Sequence, residues 1–166
     1  MRVLETTELL TALAPGYTRE LATFGALSDD CVQHLLWQGR LLALESGEVL
    51  YRPGSPANGF FVVISGMLAF YKHFETYDVL TRHFRAGEQL GFDAMIGLQP
   101  RSGTAVAVTP LRVLEIGVEL FHDIQQRYPA DFGLIMINLA REMSREIAAL
   151  EQVIGQSTGW LPPRHT

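Results

Sequence analysis

The sequence predicts a mainly β domain of jelly-roll type, flanked by helices and followed by one long C-terminal helix. Three observations predict it. Seven short runs rich in Val, Leu, Ile, Phe and Tyr lie between residues 40 and 116, each bounded by turn-forming residues. After Ile116 the apolar residues return at helical spacing. With 166 residues, 48% of them hydrophobic, the chain holds one well-buried core and leaves little room for a second. The expected organisation is N-terminal helices and β-roll over 1–128, a long helix over 129–155 and a loose tail over 156–166.

Residues 6–13 carry Leu9, Leu10 and Leu13 on a helical repeat that Pro15-Gly16 stops. Ser28-Asp29-Asp30 announces a second helix, a capping hydroxyl followed by acids in the first turn. Val32, Leu35 and Leu36 give it an apolar face ending near Gly39, and Cys31 and Trp37 are expected in the core. Strands are expected over 40–45, 49–51, 59–64, 67–74, 79–84, 104–109 and 111–116. Their turns fall at Ser46-Gly47, Pro53-Gly54, Ser65-Gly66, Ala86-Gly87 and Thr109-Pro110.

Between the last two turns, the run from Gly87 to Ile96 reads as a strand end, a turn and one short helix. The loop Pro100-Arg101-Ser102-Gly103 then brings an arginine back towards that helix's start, an arrangement suited to a small anion. Phe92 and Met95 line an apolar pocket or plug the barrel. Beyond Ile116, Val118, Leu120, Phe121 and Ile124 form a short helix ended by Tyr128-Pro129. A long helix follows over about 130–154, with Phe132, Met136, Leu139, Met143, Ile147, Leu150 and Ile154 at spacings of three or four. Packing on its own barrel is one use for this stripe. Its length favours the other, a homodimer through Met136, Leu139, Met143, Ile147, Leu150 and Ile154.

Composition narrows the function. The formal net charge is -5 and Lys72 is the one lysine, which argues against a broad nucleic-acid footprint. A single cysteine, Cys31, excludes an intrachain disulfide and an iron-sulfur cluster held by several thiolates of one chain. No 18-residue apolar run and no basic, apolar start are present, so a cytoplasmic protein without membrane contact is expected. The histidines at 34, 73, 83, 122 and 165 have no His-x-His pair of the kind a cupin metal site uses, and no spacing that marks a haem. Neither a Gly-x-Ser-x-Gly elbow nor a Gly-Lys-Ser phosphate loop occurs, and no enzyme is expected; a cupin-type metal enzyme is the least favoured class.

The order of Gly47-Glu48-Val49-Leu50-Tyr51, Phe60-Phe61-Val62-Val63-Ile64-Ser65-Gly66, Gly87-Glu88, Leu90-Gly91 and Pro100-Arg101-Ser102-Gly103-Thr104 resembles the effector domain of the cyclic-nucleotide-binding superfamily. It is similar to the CRP/FNR regulators, with Leu90-Gly91-Phe92-Asp93-Ala94 and Met143-Ser144-Arg145-Glu146-Ile147 closer to the fumarate-nitrate-reduction branch. The resemblance implies a double-stranded β-helix holding an effector and a long helix pairing two subunits. It also implies a phosphate cassette in which a Gly-Glu opens the short helix, the Glu taking a ribose hydroxyl and an Arg-Ser clamping the cyclic phosphate. Gly91, Ala94, Arg101 and Ser102 match this pattern. Phe92 stands in place of the Glu, with Asp93 one position displaced. A phenyl ring accepts no hydroxyl hydrogen bond, and the unpartnered ribose costs about 1–3 kcal/mol, so weak or no binding of cAMP and cGMP is expected. Full regulators continue into a helix-turn-helix module. About a dozen residues follow Ile154 here, so no direct DNA binding is expected of this chain, either as a truncated regulator or as a stand-alone module.

Taken together, these residues predict a ligand-sensing regulatory domain that binds a small anionic effector at Gly91, Phe92, Asp93, Ala94, Arg101 and Ser102 and transmits through a dimer helix. The alternative is a degenerate domain without ligand that serves as a protein-interaction module.

Overall fold

A computed structural model describes residues 1–5, 7–8, 17 and 21–158. The helix expected over 6–13 lies outside these except for 7–8, and the tail residue Trp160 lies wholly outside. Among the described residues, nine strands form two antiparallel sheets: β1 (Arg2–Val3), β2 (Arg40–Leu44), β9 (Leu111–Gly117), β4 (Gly59–Ser65) and β7 (Gln89–Leu90) in one, and β3 (Val49–Tyr51), β8 (Gly103–Ala107), β5 (Met67–His73) and β6 (Asp78–Arg85) in the other. The jelly-roll-like fold with a long C-terminal helix is as expected. Strand β1, which pairs with β2 through Arg2 and Val3, was not: two residues are too short to carry an alternating pattern.

Strand β4 shows why the sheet forms where it does. Phe61 and Val63 face the space between the sheets, packed with Leu42, Leu44, Leu68, Phe84, Leu111 and Val113. Phe60, Val62 and Ile64 point the other way, into a second core shared with the helices. A strand buried on both faces reads as one continuous apolar run, which is what residues 60–64 are.

The helices cover the outer face of the first sheet. Helix α1 (Asp29–Gln38) is capped by Ser28, whose side chain accepts from the Cys31 amide, and buries Cys31, Val32, Leu35 and Leu36. Burial pushes the Cys31 thiol up to about 12, so it stays a neutral packing group. Trp37 corrects the expectation of a core residue: it is 53% exposed. At 100° per residue it lies opposite the arc spanned by Cys31, Val32, Leu35 and Leu36. Short helix α2 (Phe92–Ile96) follows β7, α3 (Val118–Arg127) follows β9, and α4 (Pro129–Thr158) ends the described chain. Helix α4 has 30 residues, about 45 Å at 1.5 Å per residue, and runs past the boundary expected at 155 through Gly155 to Thr158.

Helix α4 docks by its first half. Ile135 and Leu139 are buried in the helical core, with Phe132, Met136 and Met143 packed against it. This corrects half of the expected dimer stripe: Met136, Leu139 and Met143 serve the chain's own core, because the outer face of the first sheet needs an apolar cover. Ile147, Leu150 and Ile154 remain exposed, together with Val153.

Phe92 is also a core residue. Its ring meets Phe60 edge-on at 5.4 Å and Phe121 at 5.9 Å, with 2% exposure. Phe92→Ala is expected to cost about 3–5 kcal/mol in urea denaturation, and Phe92→Glu at least as much, because the carboxylate would enter an apolar cluster. Either variant unfolding at the wild-type midpoint would contradict this placement.

Candidate functional site

The turn into α2 is built on Gly91. It caps the helix with φ 83°, a left-handed conformation that glycine adopts without strain, and a β-carbon there would lie 2.0 Å from Arg101 Nη1. That closeness reflects a hydrogen bond: Arg101 Nη1 donates to the Gly91 carbonyl at 2.9 Å, while Nη2 donates to the carbonyl of Gly59. The guanidinium stacks 4.7 Å over the ring of Tyr51 and 5.4 Å from that of Phe61. Arg101 is thus 4% exposed and tied to backbone. Burial lowers its pKa, and Tyr51 and Asp93 oppose that shift. Burial likewise pushes the Tyr51 hydroxyl up.

A cavity of about 920 Å³ opens beside this turn, between the second sheet and the stretch of α4 from Asn138 to Val153. Its aromatic wall is Tyr51, Phe70 and Phe84; Gly91, Asp93 and Ser102 lie at one side, and Arg141, Glu142, Arg145 and Glu146 come from α4. Of the six residues expected to hold an effector, the structure therefore brings Gly91, Asp93 and Ser102 to the cavity. Three go elsewhere. Phe92 and Ala94 turn into the protein, since the side chains on successive residues of a helix point about 100° apart and Asp93 takes the outward direction. Arg101 is close by but engaged with the two carbonyls.

The strongest polar feature was missed in the sequence. Arg82, on β6, stacks over Phe84 at 4.4 Å and is gripped by three carboxylates: Glu88 Oε1 at 2.8 Å, Glu142 Oε1 at 3.3 Å and Glu146. Glu88 also accepts from the Arg85 amide at 2.6 Å, and Glu142 from the Gln89 amide at 3.4 Å. This clasp ties α4 to the roll beside the cavity. Its one sequence signal is the pair Glu142 and Glu146, four apart and so on one helix face; their partner sixty residues away leaves no local trace. Among the described residues no group of three or more His, Cys, Asp or Glu side chains converges as a metal site.

Three known proteins frame this geometry. The family model described as the cyclic nucleotide-binding domain matches residues 41–128, and the chain belongs to that family. The anaerobic regulatory protein of Pasteurella multocida is 30% identical over 112 residues, which are 67% of this chain and 39% of that protein. Lysophospholipase NTE1 of Kluyveromyces lactis is 28% identical over 109 residues, 63% of this chain and 7% of the enzyme. The chain thus spans well under half of either relative. Among solved structures, a cyclic nucleotide-binding domain from Methylobacillus flagellatus superposes with a TM-score of 0.77 at 17% identity, covering 99% of this chain and 92% of that one.

Burial raises the Glu142 carboxyl, and Arg82 only partly offsets the shift. A carboxyl raised in the folded state stabilises the fold at low pH and loses that contribution as pH rises through the raised value. Glu142→Gln, a neutral isostere, is expected to flatten the fall in thermal stability on the alkaline side of the ordinary carboxylate range. An unchanged pH profile would show that Glu142 titrates as a solvated group.

Proposed function

We propose that this domain is the effector-sensing part of a regulator of the CRP/FNR type, taking a small anionic ligand in the cavity and reporting its presence through α4. The observation that carries the reading is that the cavity has two walls, the β-roll and α4. A ligand touching both favours one seating of the helix over another, which is all that a shift between two states requires. Family membership supports a ligand site in the roll. The regulatory relative supports a signalling rather than a catalytic role, since the segment shared with the lysophospholipase is 7% of that enzyme.

The far end of α4 supplies the output. Ile147 and Ile154 are each more than half exposed and lie outside the cavity lining, on a helix whose first half is already docked. We take this apolar stretch as the dimer contact, narrower than the stripe from Met136 to Ile154. cAMP and cGMP are expected to bind weakly, because Arg101 is engaged by the carbonyls of Gly91 and Gly59 and the carboxylate offered to a ribose comes from Asp93. The sealed Arg101 also favours a second reading, a ligand-free interaction module.

Two measurements test this. Hydrogen exchange with cAMP, cGMP and cyclic dinucleotides is expected to find at least one that protects 140–153, with cAMP itself no tighter than about 100 μM. Protection by none of them would favour the ligand-free module, and nanomolar cAMP binding would contradict the sealed arginine. In sedimentation at tens of micromolar the chain is expected to dimerise, and Ile147→Glu to dissociate it by placing a charge in the seam. A monomeric wild type would remove the proposed output.

A further inference from the structure

The cavity's cations divide into two groups. Arg82 is occupied by Glu88, Glu142 and Glu146, and these are the carboxylates of the wall apart from Asp93, whose charge acts on Arg101. Lys72, Arg141 and Arg145 also line the cavity, and among the described residues none of the three has an ion-pair or hydrogen-bond partner for its side chain.

Arg141 and Arg145 are exposed and Lys72 is half-buried, and all three face the same cavity. On β5, Leu68 is buried between the sheets, and two and four residues on, Phe70 and Lys72 line the cavity. Strand alternation therefore puts the chain's one lysine on the roll's inner face, a position that Leu68 and Phe70 fill with apolar groups. Arg141 and Arg145 are four apart on α4, so they stand one above the other facing the same space. Three positive groups thus line, from two elements, one cavity that also presents the rings of Tyr51, Phe70 and Phe84.

From this geometry we infer that Lys72, Arg141 and Arg145 form the anion clamp of the cavity, holding a phosphate or pyrophosphate group of an effector whose ring lies against Tyr51 and Phe70. The inference rests on the reading of the cavity as an effector site and moves anion recognition from Arg101 to the helix. Guanidinium groups bind phosphate oxygens through forked, charge-assisted hydrogen bonds, and the ammonium adds a point charge from the opposite wall. Because two of the three cations ride on α4, filling the clamp pulls the upper half of that helix towards β5.

The test uses the full chain with inorganic pyrophosphate as the probe at about 0.15 M salt, read by thermal stability and by hydrogen exchange over 140–153. Pyrophosphate is expected to stabilise the wild type, Lys72→Gln to weaken its apparent affinity about tenfold, and Arg141→Gln/Arg145→Gln to abolish the shift. Arg52→Gln/Arg85→Gln, which removes equal charge from exposed positions outside the cavity, is expected to keep it. No stabilisation of the wild type, or an equal loss in this control, overturns the clamp. A pyrophosphate shift that needs the clamp but leaves α4 protection unchanged keeps the clamp and rejects the signalling reading. Protection of α4 by a cyclic nucleotide that is indifferent to all three substitutions does the reverse.

Discussion

The burial of Ile135 and Leu139 in the core that the helices share with the outer face of the first sheet fixes where helix α4 lies, and most of the rest follows from it. Removing either side chain to Ala would cost about 2–5 kcal/mol, a large share of the stability of a domain this size. With its first half held there, a helix of 30 residues must overrun the roll. From Asn138 to Val153 it passes beside the second sheet and encloses the cavity, and it leaves Ile147 and Ile154 in solvent. One apolar contact thereby sets the position of both the site and the surface that reports on it.

The second attachment is ionic and differs in character. Three carboxylates around Arg82 are more than one guanidinium can neutralise, and burial of Glu142 adds to the cost of keeping all of them charged. Such a contact specifies geometry more than it adds stability. An ionic joint of this kind can yield where the apolar one cannot, so the upper part of α4 is the adjustable segment. Arg101 is the opposite case, a charged residue that donates to the carbonyls of Gly91 and Gly59 and whose faces are covered by Tyr51 and Phe61.

Much of the fold was legible in the sequence because its signals are local. Turn pairs such as Ser65-Gly66, the double-sided apolar run of β4 and the Ser28 cap each state their structure within a few residues. The candidate site was legible as a place and only partly as chemistry. Motif spacing located Gly91 and Ser102 and the neighbouring Asp93, but it does not say which way a side chain points: Ala94 matches the motif, Phe92 replaces its Glu, and both face inward. The stripe from Met136 to Ile154 is likewise periodic throughout, and only the tertiary structure shows that Leu139 is covered while Ile147 is not. The partnership of Arg82 with Glu142 and Glu146 joins positions about sixty residues apart, and the four-residue spacing of the two acids is the one local trace it leaves.

The central claim is that α4 is held by a firm apolar joint below and a yielding ionic joint above, with the cavity between the roll and the stretch from Asn138 to Val153. Hydrogen exchange of Arg82→Gln against the wild type tests it most directly. The account predicts faster exchange over 140–153 with protection over 132–139 and in β4 unchanged. Uniform loss of protection along the whole helix, or none anywhere, would contradict it.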